Sequence, residues 1–319
     1  TVVVRLMVRL MVRLMVRRRA AAAGDHPTQT ALSSATATVS PRRQHDVAEL
    51  GRRLGVSTAV LQNFRTGYRT AEISKPRGGV RRLEIPDEET KKLQRTILRR
   101  LLGALDAHPF ACGFEPGTSI VDAALPHEGR QVVVKVDIRR FFESTTSARI
   151  HAYLQGIGWD ATAADVLLRL TTCHGHLPQG APTSPRLSNL VNAPLDEALL
   201  RLARLHRGAY SRYADDITLS FDIQQGRTIR GLIEVVRRIL KSYGFTMHGG
   251  AKLLCLRQHQ RQTVLSLVVN RKTALPRRTR RWLRAVRHRV SMGQQASLTT
   301  QQLLGWESLL QMVETQRDD

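Results

Sequence analysis

Acidic residues are scarce in this chain of 319 residues: 26 Asp+Glu stand against 50 Lys+Arg, a formal net charge of +24. A surplus of that size points to a polyanionic partner, nucleic acid ahead of an anionic surface. Long apolar runs are missing too. No stretch of about 18 apolar residues occurs, so no bilayer-spanning helix is expected and a membrane is not among the expected partners. Cysteine is sparse, with only Cys112, Cys173 and Cys255, odd in number and far apart. They form neither a C-x-x-C zinc pattern nor a disulfide framework, which suits a reducing compartment. They read as three small core hydrophobes. What remains is ordinary: 42% hydrophobic and 24% charged residues, enough for one large or two modest domains.

The N-terminus repeats "VRLM" at Val4–Met7, Val8–Met11 and Val12–Met15. Residues 1–45 read as a low-complexity basic segment and disordered linker, amphipathic if helical. From Asp46, "DVAELGRRLGVSTAVLQNF" spaces its apolar residues as two short helices about an "LGVS" turn. This is an αα-hairpin with a helix-turn-helix look. "ISKPRGGVRRLEIP" is a strand pair about Gly78-Gly79, followed by a helix over 88–105. "QVVVKVDIRRFF" is a buried strand. Helices are expected over 147–154, 163–171, 186–205 and 228–243, and strands at 210–221, 253–256 and 263–269. Between Val235 and Trp306 there is no Asp or Glu, yet 15 Lys+Arg. Within that span "PRRTRRWLRAVRHRV" reads as a helix with Leu283, Val286 and Val290 inward. Its outer face, Arg277, Arg278, Arg280, Arg281, Arg284 and Arg287, forms a candidate RNA/DNA-binding surface. The fold class is α+β, with residues 46–256 as the main domain and 257–319 as a basic helical one.

Against this basic background "YSRYADDITLSF" places Asp215 and Asp216 side by side at the tip of an apolar hairpin. "KVD" ends the buried strand in a third acid, Asp137. Three carboxylates with no nearby His or Cys suit hard, oxygen-seeking cations rather than zinc. Two Mg²⁺ ions held this way are the usual device of nucleotidyl transfer. A strand throws neighbouring side chains to opposite faces, so direct ligation falls to Asp137 and Asp215, with Asp216 assisting. Lys75 and Arg81 on the first hairpin could hold triphosphate oxygens. The loop "HLPQGAPTSP" allows close backbone approach at Gln179 and Gly180. His127 reads as a structural hydrogen-bonder.

In their fixed order, "KVDIRRFF", "LPQGAPTSP" and "YADD" resemble the reverse transcriptases, and among them the bacterial retron-type enzymes. The resemblance runs from about Leu50 to Gln311. It implies a right-hand polymerase: fingers and palm, with an antiparallel palm sheet packed on helices, and a small α-helical thumb. It implies an RNA-directed DNA polymerase with Asp137, Asp215 and Asp216 as catalytic metal ligands. Phe142 falls at the steric gate that selects dNTPs, and Arg81, Leu83 and Pro86 at the fingers element. Gln179 and Gly180 fall against template and incoming base. The partners implied are a structured non-coding RNA that primes from a 2′-OH, its DNA product (msDNA), and a defence effector protein. The setting implied is antiphage defence in the bacterial cytoplasm. Alternatives are another bacterial reverse transcriptase, group II intron-like or defence-associated, and a catalytically decayed nucleic-acid-binding protein. Three positions depart from the retron pattern. Ala123 stands for Asn before Ala124 and His127, Val264-Leu265-Ser266 replaces Val-Thr-Gly, and "GGAKLL" leaves Lys252 one place off.

Overall fold

Strand β3 (Val132–Asp137) is the axis of the molecule's main sheet. A computed structural model describes residues 45–74, 78–223 and 225–318 of the chain. The "VRLM" repeats, the linker and Lys75 lie outside the described residues. The described chain forms two units, one ending at Ala274 and one starting at Leu275. The division thus falls at Leu275 rather than Arg257, because residues 257–274 pair and bond within the larger unit.

The larger unit opens with α1 (Val47–Leu54) and α2 (Thr58–Asn63), capped by Asp46 and Ser57 and parted by Gly55 in the left-handed region. Leu50, Leu54 and Leu61 are fully buried against Leu93 and Ile97. The pair is therefore a packed αα-hairpin. Strands β1 (Tyr68–Ser74) and β2 (Val80–Pro86) form a two-stranded antiparallel hairpin. Helix α3 (Glu88–Arg100) follows, N-capped by Asp87. A short helix α4 (Ile120–Ala124) precedes β3. Helices α5 (Ser147–Gly156) and α6 (Ala161–Thr171) join α1–α3 in the first apolar cluster, to which Leu187, Leu190 and Val191 also belong.

The helix expected over 186–205 is two helices, α7 (Ser184–Val191) and α8 (Ala193–Leu205), broken at Asn192. Pro194 sits in the first turn of α8, where its missing N–H costs least. Buried Asn192 uses its side chain at the break, taking a bond from Arg149 at 2.5 Å and giving one to Ser188 O at 2.7 Å.

Strands β4 (Ala209–Tyr213), β5 (Asp216–Phe221) and β6 (Leu254–Arg257) join β3 in one antiparallel sheet, ordered β4-β5-β3-β6. Period-two alternation divides its faces. Val132, Val134 and Val136 of β3, with Ile217, Leu219 and Phe221 of β5, enter the second apolar cluster. That cluster is covered by α8 and by α9 (Gly226–Ser242), whose Ile229, Leu232, Ile233, Val236 and Leu240 keep a helical spacing. Lys135 and Asp137, paired with Thr218 and Asp216, occupy the opposite face. A last hairpin, β7 (Thr263–Val264) and β8 (Leu267–Val268), turns through Leu265 and Ser266, both at positive φ.

In the smaller unit α10 (Arg277–Ser291) and α11 (Thr300–Asp318) pack Leu283 and Val286 with Leu303, Trp306, Leu309 and Val313. Trp282 meets Trp306 edge-on at 5.5 Å. Val290, expected inward, is exposed in the last turn of α10.

Candidate active site

Asp137 is the last residue of β3 and lies directly opposite Asp216, the first residue of β5. Directly opposed residues on one face bring their Cβ atoms to about 5 Å. Asp215 belongs to the two-residue turn between β4 and β5, and its carbonyl accepts the Ile138 N–H at 2.9 Å, tying the turn to the end of β3. Ala214, the other turn residue, has φ of 53°. That first position of a tight hairpin favours glycine, and strain of this kind gathers at functional sites.

A buried network holds the turn. Arg212 makes a two-pronged contact with Asp196 of α8, both bonds at 2.6 Å, and Tyr210 donates to the same carboxylate at 2.5 Å. A third guanidinium nitrogen donates to the Ala214 carbonyl and to Asn189 of α7, each at 3.2 Å. Arg212 and Asp196 are fully buried. Burial works against the Arg212 charge, but Asp196 outweighs it and keeps the group cationic. The segment before α4 braces β4 from outside: Arg212 N–H donates to Phe110 O, and Cys112 N–H to Arg212 O.

The electrostatics are those of an acidic site held open. Burial pushes the Asp215 carboxyl up, and the charge of Asp137 adds to it; Arg81 pulls the other way. Asp215 nevertheless presents an exposed face to solvent, open to an incoming cation. Burial also raises Asp216, against the pull of Lys135, whose Nζ lies 3.4 Å from its carboxylate. Asp137 is held by Lys252 at 2.9 and 3.1 Å and by His248 at 3.4 Å. Each β-strand acid thus has a cation partner. The donor set is all carboxylate oxygen, which fits Mg²⁺ and not a soft metal.

The remaining expected residues are placed as follows. Arg81 is exposed on β2, and its charge reaches Asp215. Phe142, half-buried in the turn after β3, contacts both apolar clusters and meets Phe141 edge-on at 5.4 Å. Phe141 stacks in turn on Phe245. Gln179 O accepts the Glu84 N–H at 3.0 Å. At Gly180, φ is +139° and an added Cβ would lie 2.8 Å from Glu84 O, so only glycine fits the approach of loop to strand. The six arginines expected to face outward on α10 are exposed, and Arg289 with them. His127 is fully buried, with its ring nitrogens on Ser220 Oγ at 2.7 Å and Ser211 Oγ at 2.9 Å. Burial drives its pKa down to about 3, so it serves as a neutral link between β4 and β5. Sequence reasoning missed Lys135, His248 and the reach of Lys252 to Asp137; the alternation of "VKVD" was the available signal for Lys135 alone.

Residues 73–252 match the family model described as reverse transcriptase (RNA-dependent DNA polymerase). The chain is 37% identical over 274 residues to the retron Mx65 reverse transcriptase of Myxococcus xanthus, covering 77% of this chain and 62% of that one. It is 28% identical to the retron Ec86 reverse transcriptase of Escherichia coli, covering 85% and 84%. It is 33% identical to the retron Mx162 reverse transcriptase of Myxococcus xanthus, covering 84% and 64%. The chain therefore spans under two thirds of the length of both Myxococcus enzymes.

Proposed function

The chain belongs to the reverse transcriptase family, and from that membership we propose that it is a retron-type polymerase copying a structured non-coding RNA into DNA. The observation that carries the reading is the opposition of Asp137 and Asp216 across β3 and β5, with Asp215 at the adjoining turn. Asp137 and Asp215 would hold two Mg²⁺ ions, Asp216 supporting them from beside Lys135. Bound there, the ions lower the pKa of the attacking hydroxyl and stabilise the leaving pyrophosphate.

The chain's own residues supply position. Arg81, and Lys75 with it, grip triphosphate oxygens; the guanidinium fork suits two oxygens at once. Gln179 and Gly180 lie against template and incoming base. Phe142, fixed between two apolar clusters, blocks a ribose 2′-OH and so selects dNTPs. In right-hand terms the β1–β2 hairpin belongs to the fingers, the four-stranded sheet is the palm, and α10–α11 form a basic thumb that grips phosphates by shape. Priming from an RNA 2′-OH would give a branched RNA–DNA product, msDNA, made in the bacterial cytoplasm for phage defence with an effector protein.

Primer extension on an RNA template with dNTPs and Mg²⁺ tests the reading. Asp215→Asn should lower the rate by at least about 100-fold, the scale of losing one preorganised electrostatic group. Equal extension by that variant would overturn it. Phe142→Ala should accept ribonucleotides more readily, read as a ratio of dNTP to rNTP incorporation. An unchanged ratio removes Phe142 from the gate.

A further inference from the structure

A second group of ligating side chains, none of them one of the three aspartates, lies where β2 meets the loop after α6. Glu84 of β2, Cys173 and His174 each offer one ligand atom, and the three atoms lie within 4.8 Å of one another. Among the described residues this is the one set of three His, Cys, Asp or Glu side chains gathered so closely. Glu84 and Cys173 are half-buried, and His174 is exposed.

The local fold explains the gathering. "CHGH" is a tight reverse turn: Cys173 N–H donates to His176 O at 2.9 Å, and His176 N–H to Cys173 O at 3.1 Å. His174 and Gly175 take φ of 49° and 80°, the mirror-image turn that closes a two-residue loop. The turn sets Cys173 and His176 opposite one another, and the Glu84 N–H bond to Gln179 O lays β2 alongside.

His176 braces the carboxylate of this group. Its Nδ1 lies 3.1 Å from the His174 carbonyl and its Nε2 lies 3.1 Å from Glu84 Oε2, so both ring nitrogens face acceptors. A neutral ring has one N–H and satisfies one of them. With that proton on Nε2, the ring donates to Glu84 and fixes the orientation of its carboxylate, the support that a ligating side chain needs from its neighbours.

We propose that Glu84, Cys173 and His174 hold a Zn²⁺ ion, with water in the fourth position, that pins the β1–β2 hairpin to the Gln179–Gly180 loop. One sulfur, one imidazole and one carboxylate select a borderline-soft divalent ion, unlike the all-oxygen set at the aspartates. Binding forms a Zn–S bond as the Cys173 thiol proton leaves to water. The ion is structural: it fixes the strand that carries Arg81 against the loop that carries Gly180.

Cobalt provides the test, because a Co²⁺–thiolate bond absorbs in the near ultraviolet and a tetrahedral Co²⁺ ion absorbs visibly. Untagged full-length protein, stripped with chelator, should bind one equivalent of Co²⁺ with both bands, and Zn²⁺ should displace it. Cys173→Ser should lose the thiolate band, while Cys255→Ala should keep it. His174→Ala, at an exposed position, should weaken binding by about 10-fold or more. Zn²⁺ should raise the melting temperature of the parent protein and leave Cys173→Ser unmoved. No stoichiometric cobalt band, or a band that survives Cys173→Ser, overturns the site.

Discussion

Asp215 is an acid that the fold disfavours. Burial and the charge of Asp137 both raise its pKa, so ionising it costs folding free energy. The sign follows directly. A carboxyl raised in the folded state costs nothing where both folded and unfolded forms are protonated. The cost accrues as pH rises through the carboxylate range. Asp215→Asn should therefore melt above the parent at pH 7 without divalent cation, by a margin that the residue's solvent exposure keeps small, and the gap should close as pH falls through the carboxylate range. Mg²⁺ should raise the parent's melting temperature and not the variant's. A variant that melts lower at pH 7, by calorimetry, would mean that favourable contacts rather than repulsion hold the carboxylate.

At the scale of elements, the turn that carries this acid depends on a salt bridge between β4 and α8. Asp196→Ala would leave the Arg212 guanidinium buried without its partner, at a cost of about 3–5 kcal/mol. Denaturant melts should show the loss as a lower midpoint with an unchanged slope. The sequence hides this device. "YSRYADD" reads as a hairpin, but nothing in it says that Arg212 points inward to an acid 16 residues upstream. What was legible is local. The β-branched run announced β3, Gly78-Gly79 announced the first hairpin, and Asp137, Asp215 and Asp216 stood out as acids in a basic chain. What was not legible depends on tertiary approach. Lys252 meets Asp137 across 115 positions, and Glu84 meets His176 across 92. The break at Asn192 had only Pro194 as a signal. Of the three cysteines expected in the core, Cys112 is buried, Cys173 intermediate and Cys255 exposed. Cys173 lies in a turn beside Glu84, and Cys255 lies on the sheet's outermost strand, β6.

At the scale of the whole molecule, positive charge is concentrated over the 72 residues from Val235 to Trp306, which contain no acid of their own; Lys252 and Arg287 reach acids outside the span. The exposed arginines of α10 belong to that span. Replacing Arg281 and Arg284 by Ala should weaken RNA binding to unrelated sequences alike. It should also reduce the log–log salt slope by roughly 1–2, measured by fluorescence anisotropy with folding checked by circular dichroism. An unchanged slope would place the RNA on another face. The sheet imposes a constraint of a different kind. Val132, Val134 and Val136 meet the helices, while Lys135 and Asp137 take the other face, so strand length in β3 acts as a reading frame. Losing one residue within it would carry a valine into water and Asp137 into the apolar core. The Gly78-Gly79 tip carries no such frame: both glycines sit at positive φ, and a Cβ built on either meets nothing within 4 Å, so the limit there is backbone conformation and not packing. Length variation among descendants of this chain is therefore expected to collect at the hairpin tip and to be purged from the sheet.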